Sequence, residues 1–216
     1  MKRTVILILM VVATAIGAFS QAADTPFQVR YAANLNFGDA FIDLSNSGAS
    51  STVAFPTQNG NICANVYTFS PDEQLISCCA CNITPNALVS LSVKNDLISN
   101  TLTPAVPTSV VVKLLGSTGT TCNPATVGTG ANVLATGLLA WGTTYRQISK
   151  TVTTPSPYWW QPATTTTTVT SYMTETEFTP STLSAAELVR MTTLCGQIQT
   201  NGSGFGICRS CRLGGL

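Results

Sequence analysis

The sequence contains no histidine. That removes the commonest general base and the commonest metal ligand, and every serine or cysteine nucleophile that a histidine would activate. Charge is scarce as well. Asp, Glu, Lys and Arg make up 9% of the 216 residues, against about 25% in an ordinary soluble domain. With 10 basic and 9 acidic residues, the chain has no basic stripe for a nucleic-acid backbone, so no nucleic-acid partner is expected. No glycine-rich phosphate loop opens a helix, and none of Lys94, Lys113 and Lys150 stands in a Ser-x-x-Lys arrangement. The apolar run from Val5 to Ile16 is shorter than the roughly 20 residues of a membrane helix.

That run does have a reading. Lys2 and Arg3 precede it and Ser20-Gln21-Ala22 follows it with small residues at the two positions a signal peptidase reads. Residues 1–22 are therefore expected to be a cleaved signal peptide, and 23–216 a single β-rich domain without a membrane span. The expected location is secreted, extracellular or at the cell surface. Losing Lys2 and Arg3 leaves one more acid than base. The polar surface must then be built from Thr, Ser, Asn, Gln and Gly, and near-zero net charge favours association. The expected partner is the protein itself or a surface or matrix component.

Eight cysteines dominate what is present: Cys63, Cys78, Cys79, Cys81, Cys122, Cys195, Cys208 and Cys211. Export makes disulfides their default fate. Eight cysteines allow about a hundred pairings, and the sequence does not choose among them. Adjacent residues of an extended chain point opposite ways, so Cys78 and Cys79 should take different partners. The Cys78–Cys81 cluster and the tail pair Cys208 and Cys211 are expected to meet, with Cys195 and Cys63 close by. A metal alternative remains. Cys78-x2-Cys81 and Cys208-x2-Cys211 supply the ligand types of a four-cysteine zinc site, at a separation far wider than a zinc ribbon uses. Otherwise no cofactor is expected. A redox role for Cys208-Arg209-Ser210-Cys211 lacks the strand-to-helix setting such motifs need.

Phe27–Tyr31 and Ala40–Leu44 alternate with period two, as half-buried strands do. Ile62–Phe69 is β-branched and aromatic. Ser70-Pro71-Asp72-Glu73 reads as a capping box opening a short helical turn. Ala87–Val93 and Leu97–Leu102 read as strands around a Lys94-Asn95-Asp96 turn, and Val110–Leu115 and Val133–Trp141 as buried strands. Residues 151–168, with Pro155, Pro157, Pro162 and a run of threonines from Thr164, read as a surface excursion returning as a strand through Thr166 to Phe178. Ser184 and Glu187 form a second capping box. Leu188, Met191, Cys195 and Ile198 then mark one face of a helix near 185–200. The expected fold is mainly β: an antiparallel sandwich or barrel-like domain with one C-terminal helix, stapled by disulfides.

Three constellations remain. The pairs Asp39/Asp43 and Glu175/Glu177 share strand faces, which more simply mark the wet side of a sheet than a glycosidase or calcium site, so no catalytic residue is assigned. Tyr158-Trp159-Trp160, between prolines, is a possible ligand-binding platform for sugar rings or a partner protein, or a plug for the end of the sandwich. Phe27, Val29 and Tyr31 belong either to the chain's own sheet or to a strand donated to a neighbour.

The stretch Asn34–Leu44, the cluster Ser77-Cys78-Cys79-Ala80-Cys81 and the end Gly204–Cys211 resemble exported cysteine-rich bacterial proteins of unassigned function. That resemblance implies no activity, substrate or catalytic residue. The expectation is a non-enzymatic structural or adhesive protein that self-associates. The alternatives are a carbohydrate- or protein-binding module using the aromatic loop, and a four-cysteine metal protein.

Overall fold

The computed structural model describes residues 25–49, 60–100, 103, 105–118, 121–201 and 208–213. The expected signal peptide, residues 1–22, lies outside them. Among these residues, nine strands form two antiparallel sheets. They are β1 (Phe27–Ala33), β2 (Phe41–Asn46), β3 (Ile62–Phe69), β4 (Leu75–Ile83), β5 (Leu88–Ser92), β6 (Ser109–Ser117), β7 (Leu138–Thr154), β8 (Thr164–Glu177) and β9 (Thr179–Pro180). One sheet has the order β4-β3-β6-β1-β9 and the other β5-β2-β7-β8. A helix, α1 (Ala185–Thr200), follows. The mainly β, disulfide-stapled sandwich with a C-terminal helix is what the sequence pattern anticipates.

The layers explain the burial. Between the sheets lie Ile42, Leu44, Val66, Leu91, Val112, Leu114 and Leu138. On the far face of the five-stranded sheet, Tyr67, Phe69, Leu115 and Cys78 pack against Met191, Cys195 and Ile198 of α1. Successive strand residues face opposite sides. With both sides covered, every residue of β3 is buried, which is why Ile62–Phe69 is mostly apolar, broken only by Asn65 and Thr68, rather than alternating. The β2 pattern holds as expected, with Ala40, Ile42 and Leu44 buried. Ser184 caps α1 by accepting from the Glu187 N–H at 3.1 Å. The Glu187 carboxylate, however, pairs with Lys113 of β6.

Four local expectations are corrected. Ser70–Gln74 is the reversal between β3 and β4, not a helical turn. The Glu73 N–H bonds the Ser70 carbonyl at 3.0 Å, and Glu73 takes a φ of 64°. A serine followed by proline opens a β-turn as readily as a helix. Val93–Ile98 forms a wide π-helical turn instead of a hairpin and second strand. The Asp96 carboxylate draws it in by accepting from the Ser92 N–H and from Ser210 of the tail. Leu97 and Ile98 are buried there, and residues 101–102 lie outside the described residues. The strand expected from Val133 starts only at Leu138, because Gly137 turns the chain at a φ of 101°, a conformation glycine adopts without strain. The excursion near 151–168 is a ribbon. β7 and β8 pair continuously from Trp141↔Glu177 to Thr154↔Thr164, and the prolines are confined to its turn.

Candidate functional site

The ribbon grows out of the four-stranded sheet and passes the edge of the body. Up to Tyr145 it is anchored. Buried Arg30 of β1, 8% exposed, reaches across the sandwich to donate to the Thr176 carbonyl at 2.9 Å and to Thr144 Oγ1 at 2.9 Å. Gly142 makes room for it, since a Cβ there would sit 2.3 Å from the arginine Nε. Burial pulls the Arg30 pKa below the ordinary guanidinium value, while the negative charge of Glu175 acts in the opposite direction. On the outer face, Asn34 Nδ2 donates to the Tyr145 carbonyl at 2.8 Å.

Beyond Tyr145 both strands are exposed on both faces. From Arg146 to Thr154 the overhang is about 30 Å long at a rise of about 3.4 Å per residue. Threonines line it in cross-strand pairs, with Thr151 and Thr167 hydroxyls 3.2 Å apart and Thr153 and Thr165 hydroxyls 3.3 Å apart. β-Branched pairs of this kind favour extended backbone.

The turn at its end carries the aromatic residues. The Gln161 N–H donates to the Tyr158 carbonyl at 3.1 Å. The Tyr158 N–H donates to Ser156 Oγ at 3.2 Å. Tyr158 and Trp160 stack with centroids 4.9 Å apart and planes at 23°, and Trp159 meets Trp160 edge-on at 5.5 Å. Trp159 is 93% exposed and Trp160 65%. The rings therefore do not plug the sandwich, which is already closed by Ile42, Leu138 and their neighbours. They form a small aromatic surface at the end of a threonine-rich arm, free to stack on a flat apolar face.

The cysteines make the rigid base. The bridges are Cys63–Cys122, Cys78–Cys195, Cys79–Cys208 and Cys81–Cys211. Alternation along β4 decides three of them. Cys78 faces α1, while Cys79 and Cys81 face the other way and meet the tail. The four-cysteine metal set of Cys78, Cys81, Cys208 and Cys211 is thus not assembled, because Cys78 lies on the wrong face of the strand. The sulfurs of Cys81, Cys208 and Cys211 do lie within 4.8 Å of one another, as members of two adjacent disulfides. Cys208 and Cys211 are not bonded to each other, which also separates them from a dithiol redox pair. Cys63 takes Cys122 as its partner rather than joining the Cys195 group.

The remaining sequence candidates are placed as follows. Phe27, Val29 and Tyr31 belong to β1, which is registered with β6 from Phe27↔Leu115 to Ala33↔Ser109 and flanked by β9. Phe27 is buried under α1, and in this structure β1 is a strand of the chain's own sheet. Asp39 is engaged by the N–H groups of Ala40 and Lys94 at 2.8 and 3.0 Å and by the Ser92 hydroxyl, holding the start of the π turn rather than facing Asp43. Glu175 and Glu177 are exposed at the ribbon's root, opposite Thr143 and Trp141. Sequence reasoning missed Arg30, whose single positive charge among apolar neighbours of an alternating strand was the available signal. It also missed the ribbon, whose threonines alternate in pairing register without any apolar periodicity.

No family model matches the chain, and neither a curated protein nor a solved structure matches it. Among the described residues, no helix is long and apolar enough to cross a membrane.

Proposed function

We propose that this is an exported, non-enzymatic structural or adhesive protein that packs with copies of itself and holds an external surface through the tip of its ribbon. One observation carries the reading: Trp159, 93% exposed, stands at the end of a two-stranded arm that holds it away from the body. Exposed apolar patches are uncommon without a contact to make, and tryptophan and tyrosine supply large contact area at low entropic cost. Four disulfides suit an oxidising exterior. The low charge of the chain fits packing rather than electrostatic capture.

The test is co-sedimentation of the oxidised protein with insoluble polysaccharides and cell-wall material. The intact protein is compared with a Trp159→Ser/Trp160→Ser variant. Both positions are exposed, so the variant's stability should change by no more than about 0.5 kcal/mol. Retention of the intact protein and its loss in the variant are expected. Equal retention of both would overturn the reading of the tip. The same rings support a second reading, a monomeric carbohydrate- or protein-binding module, which differs in showing no concentration-dependent size.

A further inference from the structure

The four sheet edges of this protein are treated unequally. β9 is only two residues long. β5 is five residues and runs directly into the π turn. The β4 edge is covered. Its Ala80 carbonyl accepts from the Cys208 N–H at 3.4 Å and its Ile76 carbonyl from Asn100 Nδ2 at 3.0 Å, with two disulfides clamping the tail above it. β8 has none of this. It is fourteen residues long, it is the outermost strand of its sheet, and among the described residues nothing pairs with its outer side. It contains no proline, lysine or arginine, the usual devices that blunt an edge.

We propose that the outer edge of β8 is a self-association site, pairing antiparallel with β8 of a second copy of this chain. The inference rests on the reading that the protein packs with itself, and names the surface it uses. From Thr164 to Thr174 the strand carries no charged side chain. A twofold axis at Val169 sets Val169 against its counterpart, Thr168 against Thr170, Thr166 against Tyr172, Thr165 against Met173 and Thr164 against Thr174. In this register Glu175 falls opposite Ala163, so no like charges meet. The pairing is isologous and closes on itself, joining two four-stranded sheets into one eight-stranded sheet. The nearly neutral chain offers little repulsion against it. A second copy fits better than a foreign strand because the uncharged, β-branched run is complementary to itself about its own midpoint.

The experiment is sedimentation velocity of the oxidised full chain over a wide concentration range, with two variants. Val169→Lys sets two ammonium groups face to face at the axis, on a strand whose side chains are exposed, so folding is unaffected. Trp159→Ser/Trp160→Ser removes the tip instead. A dimer in the intact protein and the tip variant, weakened by about tenfold or more in Val169→Lys, is expected. A dimer that survives Val169→Lys but is lost from the tip variant overturns the edge assignment and leaves self-association standing. A monomer at every concentration overturns the edge and self-packing together, while polysaccharide co-sedimentation still reads the tip on its own.

Discussion

Replacing Cys81–Cys211 by a pair of alanines is expected to cost less stability than replacing Cys63–Cys122, although the first spans 130 residues and the second 59. Taken one by one, the loop-entropy relation assigns about 5 kcal/mol to the longer loop and about 4 kcal/mol to the shorter. The bridges are not independent, however. Cys79–Cys208 runs beside Cys81–Cys211, close to it along both segments. With it in place, Cys81 and Cys211 are already tethered through a path of about five residues, and their bridge adds only about 2 kcal/mol. Cys78–Cys195, separated by 117 residues, is shortened in the same way to about 14 residues and about 3 kcal/mol. No other bridge shortens the path between Cys63 and Cys122. The expected order of loss is therefore Cys63–Cys122, then Cys78–Cys195, then Cys81–Cys211.

Urea unfolding of the three double-alanine variants measures this order, with intact mass under alkylation showing that the other three bridges are formed. Equal slopes against urea would show that the unfolded states remain comparable. A Cys81–Cys211 variant that loses as much as the Cys63–Cys122 variant would refute the short-path argument. It would mean that packing of the tail, rather than restriction of the unfolded chain, sets the value of that bridge.

Two further predictions concern buried polar groups. The Tyr67 hydroxyl donates to the Pro124 carbonyl at 2.5 Å, and burial raises its pKa above the phenol's usual value. The unfolded chain thus releases this proton from about pH 10 while the folded chain keeps it, so stability falls as pH rises past that point. Tyr67→Phe should lose about 1 kcal/mol at neutral pH yet show a shallower decline above pH 10 in thermal melts, and parallel declines would contradict it. Gly142→Ala should cost about 1–3 kcal/mol by driving a methyl into the Arg30 guanidinium. In an Arg30→Met background the same change should cost clearly less. A double-mutant cycle in urea reads the coupling, and an unchanged cost would show that the clash is relieved elsewhere.

How much of this was legible in the sequence depends on which force acts. β2 and α1 were readable because one-sided burial writes itself as periodicity, Ile42 and Leu44 two apart and Met191 and Cys195 four apart, and β3 and β6 because burial on both sides leaves a mostly apolar run. The Ser70 turn and the Val93–Ile98 π turn were misread because their signals are degenerate. Proline after serine suits two structures, and Asp96 is held inward by Ser210, more than a hundred residues away, as well as by the Ser92 N–H. The disulfide pairing was half legible. Alternation along β4 separates Cys78 from Cys79 in any strand, but nothing local selects Cys122 for Cys63. The exposed aromatic tip was legible as residues and not as a site, since exposure is a property of the ribbon that carries it, and the ribbon's threonines leave no apolar pattern.

The ribbon and the staples are two halves of one mechanical argument. A two-stranded ribbon is at best marginally stable in water, and past Tyr145 this one has no layer on either side. What fixes its direction is the root, where Arg30, Asn34 and the Gly38 backbone close against Tyr145 and Thr144. That root can hold only if β1 is held, and β1 is flanked by β6 and β9 in the same sheet that the bridges clamp through β3 and β4. An arm rigid at its base and supported by threonine pairs along its length remains softest in its outer half. Pairing β8 antiparallel with a second copy would place a strand on both sides of Thr164–Thr174, stiffening the overhang and setting the two aromatic tips at opposite ends of the paired segment. Self-association and surface contact would then be linked. A partner seated along the edge lowers the ordering cost of each tip before it meets a surface.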